Sequence, residues 1–342
     1  MPFYREKSYE TDLVQELSKK TASQRIYAPE MQPMRQPNPS LLAVHNCLGK
    51  CVFFPASKPR RLGMSSTQVE SGRKALFFSP SLSKEEWKIR RGGLVVGGKC
   101  IDFLVMGKPD TLFEGRWTLC SLGNAQFYEL ECLFNKPLLE LLATVKSNAL
   151  FFNYPGVGES EGNPSRESII QAYRSFLRLL EQSKQEIGVK EILLYGHSIG
   201  AAVQAEALQS WPFDPDIAYL AIKSRTFSCL SQMAKKRTNR WGSRLISLLE
   251  WELETALRSK YLQVPEIILQ TASVPSYREI CNQKEIVDDT VISQKASLAY
   301  ALLQNQAWEA QKSLIGIPEK HNAPLSDVAY LACEIARYLG SA

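Results

Sequence analysis

The chain has 342 residues, a formal net charge of +6 and a hydrophobic fraction of 44%, which is enough to bury the core of one or two α/β domains. This charge is small for the length, so it does not favour a nucleic-acid-binding protein, although weak peripheral contact with an anionic membrane is compatible with it. The polar N-terminus lacks the apolar region of a signal peptide and no apolar stretch reaches the ~18 residues of a membrane span, so we expect a chain made in the cytoplasm.

The eight cysteines are scattered along the chain rather than grouped. Several lie inside apolar runs, which favours buried and reduced thiols over disulfides. Cys47 and Cys51 have no second cysteine or histidine pair nearby, so a zinc site is not expected. Nothing in the sequence indicates a metal or another cofactor.

Residues 1–75 lack the regular pattern of a catalytic core. Residues 31–40 are rich in proline and glutamine and predict a linker or surface loop, whereas residues 48–55 are more apolar and could pack on the main domain. We interpret residues 1–75 as an N-terminal extension that packs on the core, in preference to a separate functional module.

From about residue 92 the pattern alternates between strands and helices. Strands are predicted at residues 100–106, 116–122, 149–154, 192–195, 217–222, 265–269 and 313–317, and helices at 129–142, from 163 to 188, at 201–208 and at 326–339. This alternation predicts a mostly parallel central sheet with helices on both faces. Residues 76–342 are therefore expected to form one α/β domain.

A Gly-x-Ser-x-Gly motif, Gly196 to Gly200, lies between an apolar run and a helix-like stretch. The turn that such a motif forms is so sharp that side chains two residues before and after the serine would collide, so both positions need glycine. The helix that follows points its free N–H groups and positive dipole end at the same place. The motif predicts Ser198 as the nucleophile of a serine hydrolase.

A serine hydroxyl needs a base, and the chain has three histidines. His197 lies inside the motif and is expected to point away from the serine, and His45 belongs to the extension. His321 follows the last predicted strand and precedes the final helix, where a sheet of this class delivers its base. We therefore predict His321 as the general base.

The carboxylate that orients the base is expected between the serine and the histidine in the chain. Asp289 is preferred because it follows the penultimate strand region, but the sequence does not separate it firmly from the adjoining Asp288. On spacing alone, Asp214, Asp216 and Glu266 remain alternatives.

Negative charge that develops on a substrate oxygen needs fixed hydrogen-bond donors. The backbone amide of Ile199, at the start of the helix after the serine, is one candidate. The amide of Asn124, in the turn after an earlier strand, is the second candidate. Taken alone, the segment around Asn124 is equally consistent with an ordinary glycine turn.

The chain resembles the α/β-hydrolase superfamily across roughly residues 95–340. The resemblance is carried by residues 123–125, 153–162, 196–200, 225–228, 289–292 and 321–322. Residues 48–58 and 225–228 also resemble the CHLPS protein family of Chlamydia, to which Legionella SidB-like effectors are similar. The resemblance implies an α/β-hydrolase fold and an esterase- or lipase-like hydrolase (EC 3.1.1-like) that works in or on a host cell as a secreted effector.

The chain departs from the superfamily pattern in several places. Leu122 stands where a histidine usually precedes the glycine of the oxyanion turn, and the segment from residue 269 to 289 is longer than usual. Asn153 and Pro155 replace the aspartate and arginine of a glycine-rich loop, at positions that are not catalytic.

Residues 231–262 separate two predicted strands where hydrolases of this class often carry a short helical cap. Apolar residues from Trp241 to Leu257 recur at helical spacing, and we interpret them as a helix that packs on the core. The alternative is a lid, which would suit long-chain lipid esters. The basic run at 235–240 is typical of a solvated helix end. A membrane-facing role would require this run and Trp251 on one surface with the active-site mouth.

The predicted function is a metal-independent serine hydrolase that cleaves carboxylic esters or thioesters of small molecules or lipids. The alternative is a catalytically inactive hydrolase scaffold that acts as a binding or effector protein, an interpretation motivated by Leu122 and by the uncertain acid. The sequence does not indicate the oligomeric state, the acyl chain length or the leaving group.

Overall fold

The computed structural model describes residues 84–235, 250–305 and 311–340, with further isolated positions at 49, 71–72, 74–76, 78–79, 82, 244 and 246. The predicted extension lies almost entirely outside these residues, as do Cys47, Cys51 and His45. Part of the predicted cap helix, including Trp241, also lies outside them.

A nine-stranded sheet, counted over the described residues, forms the centre of the molecule. The strands are β1 (Lys88–Val96), β2 (Lys99–Gly107), β3 (Arg116–Ser121), β4 (Asn148–Phe152), β5 (Glu191–His197), β6 (Ala218–Ser224), β7 (Glu266–Thr271), β8 (Arg278–Glu279) and β9 (Lys312–Ile317). Their order is β1-β2-β4-β3-β5-β6-β7-β9-β8. The strands from β4 to β9 in this order pair in parallel, and β1, β2 and β8 pair antiparallel at the two edges.

Helices cover both faces of this sheet. They are α1 (Tyr128–Phe134), α2 (Lys136–Thr144), α3 (Arg166–Gln182), α4 (Lys184–Ile187), α5 (Ile199–Ala207), α6 (Thr255–Lys260), α7 (Leu298–Gln304) and α8 (Val328–Leu339). One hydrophobic core contains the buried faces of α3 and α5, and a second contains those of α2 and α8. The predicted fold class, a mostly parallel α/β sheet with helices on both faces, is confirmed.

The longest helix, α3, illustrates how local sequence sets these elements. Ser165 caps it, because its Oγ accepts a hydrogen bond from the Ser168 amide at 3.1 Å while the Ser168 hydroxyl accepts one from the Ser165 amide at 2.8 Å. This reciprocal capping box satisfies two amides that would otherwise lack partners. Ile169, Tyr173 and Phe176 then recur on one face and are fully buried in the core.

Several elements differ from the sequence prediction. Strand β8 and helix α7 were not predicted, and the helix expected from 163 to 188 is divided at Ser183 into α3 and α4. The helix expected at residues 129–142 is split into α1 and α2, because the Asn135 side chain accepts a hydrogen bond from the Leu138 amide and Pro137 lies in the first turn of the new helix. Strand β1 was not predicted, because its three charged residues and two glycines interrupt any regular alternation of apolar residues. It forms because it pairs with β2 along its whole length.

The described ends of the 231–262 insertion are joined to each other. The Leu230 amide donates to the Leu253 carbonyl at 3.1 Å, and the Ala256 amide donates to the Ser228 carbonyl at 2.9 Å. Residues 251–254 are not helical. Trp251 is fully buried in the core, so the membrane-facing role considered for this side chain is wrong. Among the helices in the part of the chain that the structure describes, none has the length and apolar character to cross a membrane.

Candidate active site

Ser198 lies at the turn between β5 and α5 with φ 55° and ψ −124°. A residue other than glycine in this left-handed region is strained, typically by about 1–3 kcal/mol, and stays there only when its surroundings hold it. The Ser198 amide donates to the Ser224 carbonyl at 2.9 Å. The Thr226 hydroxyl donates to the Ser198 carbonyl at 2.8 Å. Strand β6 and the residues after it therefore hold the turn on both sides of the serine.

The two glycines of the motif are required by close packing. A Cβ atom at Gly196 would lie 2.5 Å from the Cα of Ala201, and one at Gly200 would lie 2.2 Å from the carbonyl oxygen of Ser121. Real Cβ contacts do not reach these distances. The collision expected from the sequence therefore involves the start of α5 on one side and the end of β3 on the other.

His321 lies in the loop between β9 and α8, and its ring is buried. Its Nε2 is 2.9 Å from the Ser198 Oγ. The His321 amide donates to the Asp289 carbonyl at 2.9 Å, and the Thr271 hydroxyl donates to the Glu319 carbonyl at 2.8 Å. The structure thus brings the predicted nucleophile and base into hydrogen-bond contact, with the base in a loop held from two neighbouring segments.

Asp289 is fully buried, and its Oδ2 is 2.7 Å from Nδ1 of His321. Its other oxygen, Oδ1, accepts hydrogen bonds from the amides of Val291 at 2.9 Å and Ile292 at 2.6 Å. One oxygen is held by the backbone and the other faces the imidazole, so the carboxylate can orient the ring. The next residue, Thr290, has a left-handed backbone with φ 83°.

The other acidic candidates lie elsewhere. Asp288 is exposed and accepts from the Gln294 amide at 2.7 Å. Lys184 pairs with both Asp214 and Asp216, at 2.7 and 2.8 Å, before the start of β6 and so at the opposite end of the strand from Ser198. Glu266 is a buried partner of Lys223 and of Lys312. Among the five candidates, Asp289 is the carboxylate that contacts the histidine.

The two predicted oxyanion donors lie in two different turns. Ile199 is the first residue of α5, and Asn124 lies in the exposed turn after β3, which packs against the start of α5 near Gly200. Within the described residues, neither the Ile199 amide nor the Asn124 amide donates a hydrogen bond. An oxyanion site needs donors of this kind, which are left without a protein partner.

A pocket of about 180 Å³ opens beside His321. Its walls include Gln126, Glu131 and Phe134 from the segment after β3, and His197 from the end of β5. Phe134 is 73% exposed. The pocket therefore combines polar walls with an exposed aromatic side chain. No group of three or more histidine, cysteine or acidic side chains in the described part of the chain is arranged to hold a metal ion.

His197 is buried, and its ring centroid is 5.1 Å from that of His321. Burial, reinforced by the positive charge of Arg225 and by His321, lowers the pKa of His197 well below its usual value. The ring is therefore neutral at neutral pH. It makes no hydrogen bond to Ser198 among the described contacts, in agreement with the expectation that it points away from the serine.

Arg225 is a residue that sequence reasoning left without a role. Its buried guanidinium donates through Nη1 to the carbonyls of Lys320 at 2.7 Å and Ala323 at 2.6 Å, on either side of His321. Its backbone is left-handed, with φ 47°. The only sequence signal was its place in the segment 225–228, which carried the family resemblance.

Comparisons with known proteins agree with this fold. The family model described as Chlamydia CHLPS protein (DUF818) matches residues 79–339. Alpha/beta hydrolase domain-containing protein WAV2 of Arabidopsis thaliana is 31% identical over 94 residues, which are 28% of this chain and 29% of that protein. Lysophosphatidylserine lipase ABHD12 of Danio rerio is 26% identical over 117 residues, covering 29% of this chain and 30% of that protein. The chain thus spans about three tenths of the length of these curated relatives.

Two solved structures share the fold at low sequence identity. An alpha-beta hydrolase from Vibrio vulnificus aligns with a TM-score of 0.59 and 13% identity, covering 92% of this chain and 98% of that chain. The esterase Pf2001 of Pyrococcus furiosus aligns with a TM-score of 0.54 and 13% identity, covering 76% and 92%. Because the family model matches most of the chain, this chain belongs to the Chlamydia CHLPS protein family (DUF818), and its fold is that of the solved α/β hydrolase from Vibrio vulnificus.

Proposed function

We propose that this chain is a serine hydrolase that cleaves carboxylic esters or thioesters through an acyl-enzyme. Ser198 is the nucleophile, His321 the general base and Asp289 the carboxylate that orients it. The observation that carries the proposal is the 2.9 Å contact between the Ser198 Oγ and the His321 Nε2 at a strained turn. A serine hydroxyl paired with a buried, carboxylate-bonded imidazole is the arrangement that activates this weak nucleophile.

In the first half of the reaction, the Ser198 Oγ attacks the acyl carbon and its proton moves to the His321 Nε2. Negative charge develops on the former carbonyl oxygen, and the amides of Asn124 and Ile199 donate to it. Asp289 accepts a hydrogen bond from the Nδ1 proton and stabilises the imidazolium without taking the proton. The C–O or C–S bond then breaks, and the leaving group takes the proton from Nε2.

In the second half, a water molecule gives its proton to the His321 Nε2 and attacks the acyl-enzyme. The ester bond to Ser198 breaks, the Oγ recovers its proton from Nε2, and the carboxylic acid leaves. The same three side chains therefore serve both halves, and no metal or cofactor is needed for either one.

Ester chemistry is also favoured by the relatives: one solved neighbour is named an esterase and one curated relative a lipase. We extend the proposal to small-molecule or lipid esters as substrates. Residues 76–342 form the hydrolase domain in this proposal, with residues 231–262 as a cap-like insertion and residues 1–75 as an extension that packs on it. A role as a secreted effector remains a prediction from the family resemblance.

The proposal is tested by labelling with a fluorophosphonate probe and by hydrolysis of p-nitrophenyl esters of graded chain length. Wild type should react with the probe, and Ser198→Ala should not. The chain-length profile reports whether the cap-like insertion accommodates a long acyl chain. A folded wild type that neither reacts with the probe nor hydrolyses any ester would overturn the proposal and favour the binding scaffold.

A further inference from the structure

The turn that carries Asn124 has no polar side chain immediately before Gly123, because residue 122 is a buried leucine. We propose that Gln126 and Glu131 are positioning residues that hold this turn so that the Asn124 amide faces the oxyanion. This inference rests on the proposed serine-hydrolase function. It assigns to these two residues a role in the rate of the chemical step rather than in substrate binding.

Gln126 makes two hydrogen bonds to the backbone of Gly123, one through its side chain and one through its own backbone amide. The Gly123 amide donates to Gln126 Oε1 at 2.6 Å, and the Gln126 amide donates to the Gly123 carbonyl at 3.2 Å. Both polar groups of the Gly123 backbone are therefore used by one residue. The space is tight, since a Cβ at Gly123 would lie 2.7 Å from Gln126 Oε1 and 3.3 Å from Cδ2 of His197.

Glu131 determines which way the Gln126 amide points. Gln126 Nε2 donates to Glu131 Oε1 at 2.8 Å, and Asn135 Nδ2 donates to Glu131 Oε2 at 2.9 Å. An ionised carboxylate only accepts hydrogen bonds, so Gln126 must present its NH₂ group to Glu131 and its oxygen to Gly123. Rotation of the amide by 180° would break both contacts. Gln126 and Asn135 thus both donate to Glu131, and we call this set of bonds from Gly123 through Gln126 and Glu131 to Asn135 the relay.

Two members of this relay are anchored in helices. Glu131 lies in the first turn of α1, and Asn135 begins α2, where its Oδ1 accepts from the Leu138 amide at 3.3 Å. The relay therefore ties a four-residue turn to two rigid elements. Gln126 occupies the Gly123 amide, so the amides of Asn124 and Ala125 are the donors in this turn that make no hydrogen bond among the described residues, and the proposal assigns the Asn124 amide to the oxyanion.

The first test is kinetic. In Gln126→Ala the turn loses its side-chain bond, and kcat for p-nitrophenyl acetate should fall roughly 10- to 100-fold, less than the loss of an oxyanion donor itself. KM should change little. The factor by which kcat falls should be the same for acetate esters with different leaving groups. Affinity for a boronic acid, which mimics the tetrahedral intermediate, should fall by the same factor as kcat/KM.

A rescue variant distinguishes positioning from folding. Gln126→Glu alone places two carboxylates against each other and should lower kcat. Combined with Glu131→Gln, the relay is restored with the charge exchanged: the new carboxylate accepts from Gly123 and from the new amide, which in turn accepts from Asn135. The double variant should recover most of the wild-type kcat. Asn282→Ala, which removes a similar bond to the Lys284 amide on an exposed turn, is the matched control and should keep kcat unchanged.

Three results would overturn the inference. An active wild type whose Gln126→Ala variant keeps its kcat would show that the relay does not position the turn. A change in KM that depends on the leaving group would show that Gln126 contacts the substrate directly instead of positioning the turn. A double variant no better than Gln126→Glu would exclude the relay.

A wild type without esterase activity would count against the proposed function, and a separate readout then tests the relay. Hydrogen exchange of the Gly123 amide, measured in the Ser198→Ala background, should accelerate when Gln126→Ala is added. If the exchange rate of the Gly123 amide did not change, Gln126 would not hold this turn, whatever the enzyme's activity.

Discussion

The loop that carries His321 and the turn that carries Asn124 lie on two sides of Ser198 and are held by different contacts. The His321 loop is held by residues distant in sequence: Arg225 after β6, Thr271 at the end of β7, and the backbone of Asp289. The Asn124 turn is held by Gln126 and, through it, by Glu131, both within eight residues along the chain. The base therefore depends on tertiary structure, whereas the turn depends on local structure.

The His321 loop and the Asn124 turn also differ in the charge of the side chain that holds them. A guanidinium donates to two carbonyls around the base, and charge-assisted hydrogen bonds of this kind are stronger than neutral ones. A neutral amide holds the oxyanion turn. We therefore expect damage to the His321 side to cost more activity than damage to the Asn124 side, and four experiments test this order.

The largest effect is expected at the acid. Asp289→Asn keeps the size of the side chain but removes the charge that holds the His321 tautomer, so kcat/KM should fall by roughly 10⁴-fold. The steady-state hydrolysis of p-nitrophenyl acetate measures it. Asp288→Asn is the matched control, because Asp288 is exposed and bonds the Gln294 amide; it should stay near wild type. Equal losses in the two variants would contradict the assignment.

The next effect tests the long-range contacts of the base. Arg225→Lys keeps the charge but loses the rigid guanidinium, in which Nε donates to the Ser224 hydroxyl while Nη1 donates to the Lys320 and Ala323 carbonyls. The His321 ring should lose its fixed position, and kcat should fall by roughly 10²-fold, as for other misplaced catalytic groups. Kinetics and thermal unfolding of the same samples separate this effect from lost stability.

A second arginine provides the control. Arg174 donates to the carbonyls of Ala207 at 2.7 Å and Gln209 at 2.9 Å, near the end of α5 that is remote from Ser198. Arg174→Lys should lower the melting temperature by about as much as Arg225→Lys does, but it should leave kcat near the wild-type value. If Arg225→Lys behaves like Arg174→Lys, the contrast between the two sides of the site is wrong.

A smaller effect is expected on the local side. In Gly123→Ala the new methyl group would meet Gln126 Oε1, the end of a side chain that can move, so the protein should fold and kcat should fall roughly 10-fold. Gly200→Ala offers the contrast, since its Cβ would lie 2.2 Å from the Ser121 carbonyl oxygen, which is backbone. That variant should lose stability severely in urea unfolding. An equally unstable Gly123→Ala would mean that the turn is rigid without the relay.

The smallest effect concerns His197, which lies between the two sides. Its pKa is lowered in the folded protein from the usual 6.5, so the unfolded chain binds the proton more readily. Stability therefore decreases as pH falls below the unfolded value. In His197→Gln the free energy of unfolding should depend less on pH, by at most about 1.4 kcal/mol per pH unit. Urea unfolding at several pH values between about 5 and 8 measures it. An unchanged slope would contradict the buried neutral ring.

Much of this arrangement could be predicted from local sequence. The glycines around Ser198 require a sharp turn, and the three histidines leave His321 as the one after the last strand. Strand β1 could not be predicted, because its charged residues and glycines interrupt any regular alternation of apolar residues and it forms by pairing with β2. The split between α1 and α2 was also missed, although Asn135 and Pro137 carry a helix-start signal.

The sequence alone determined the nucleophile motif, the predicted base and the parallel α/β order, because these depend on short motifs and on periodicity along one segment. Tertiary structure decided the rest. It placed Asp289 rather than Asp288 against His321, because the buried Asp289 carboxylate is held by the Val291 and Ile292 amides while Asp288 is exposed. It also brought Arg225 to the His321 loop across 98 positions of sequence. Such contacts depend on how strands pair in the sheet, which no local pattern specifies.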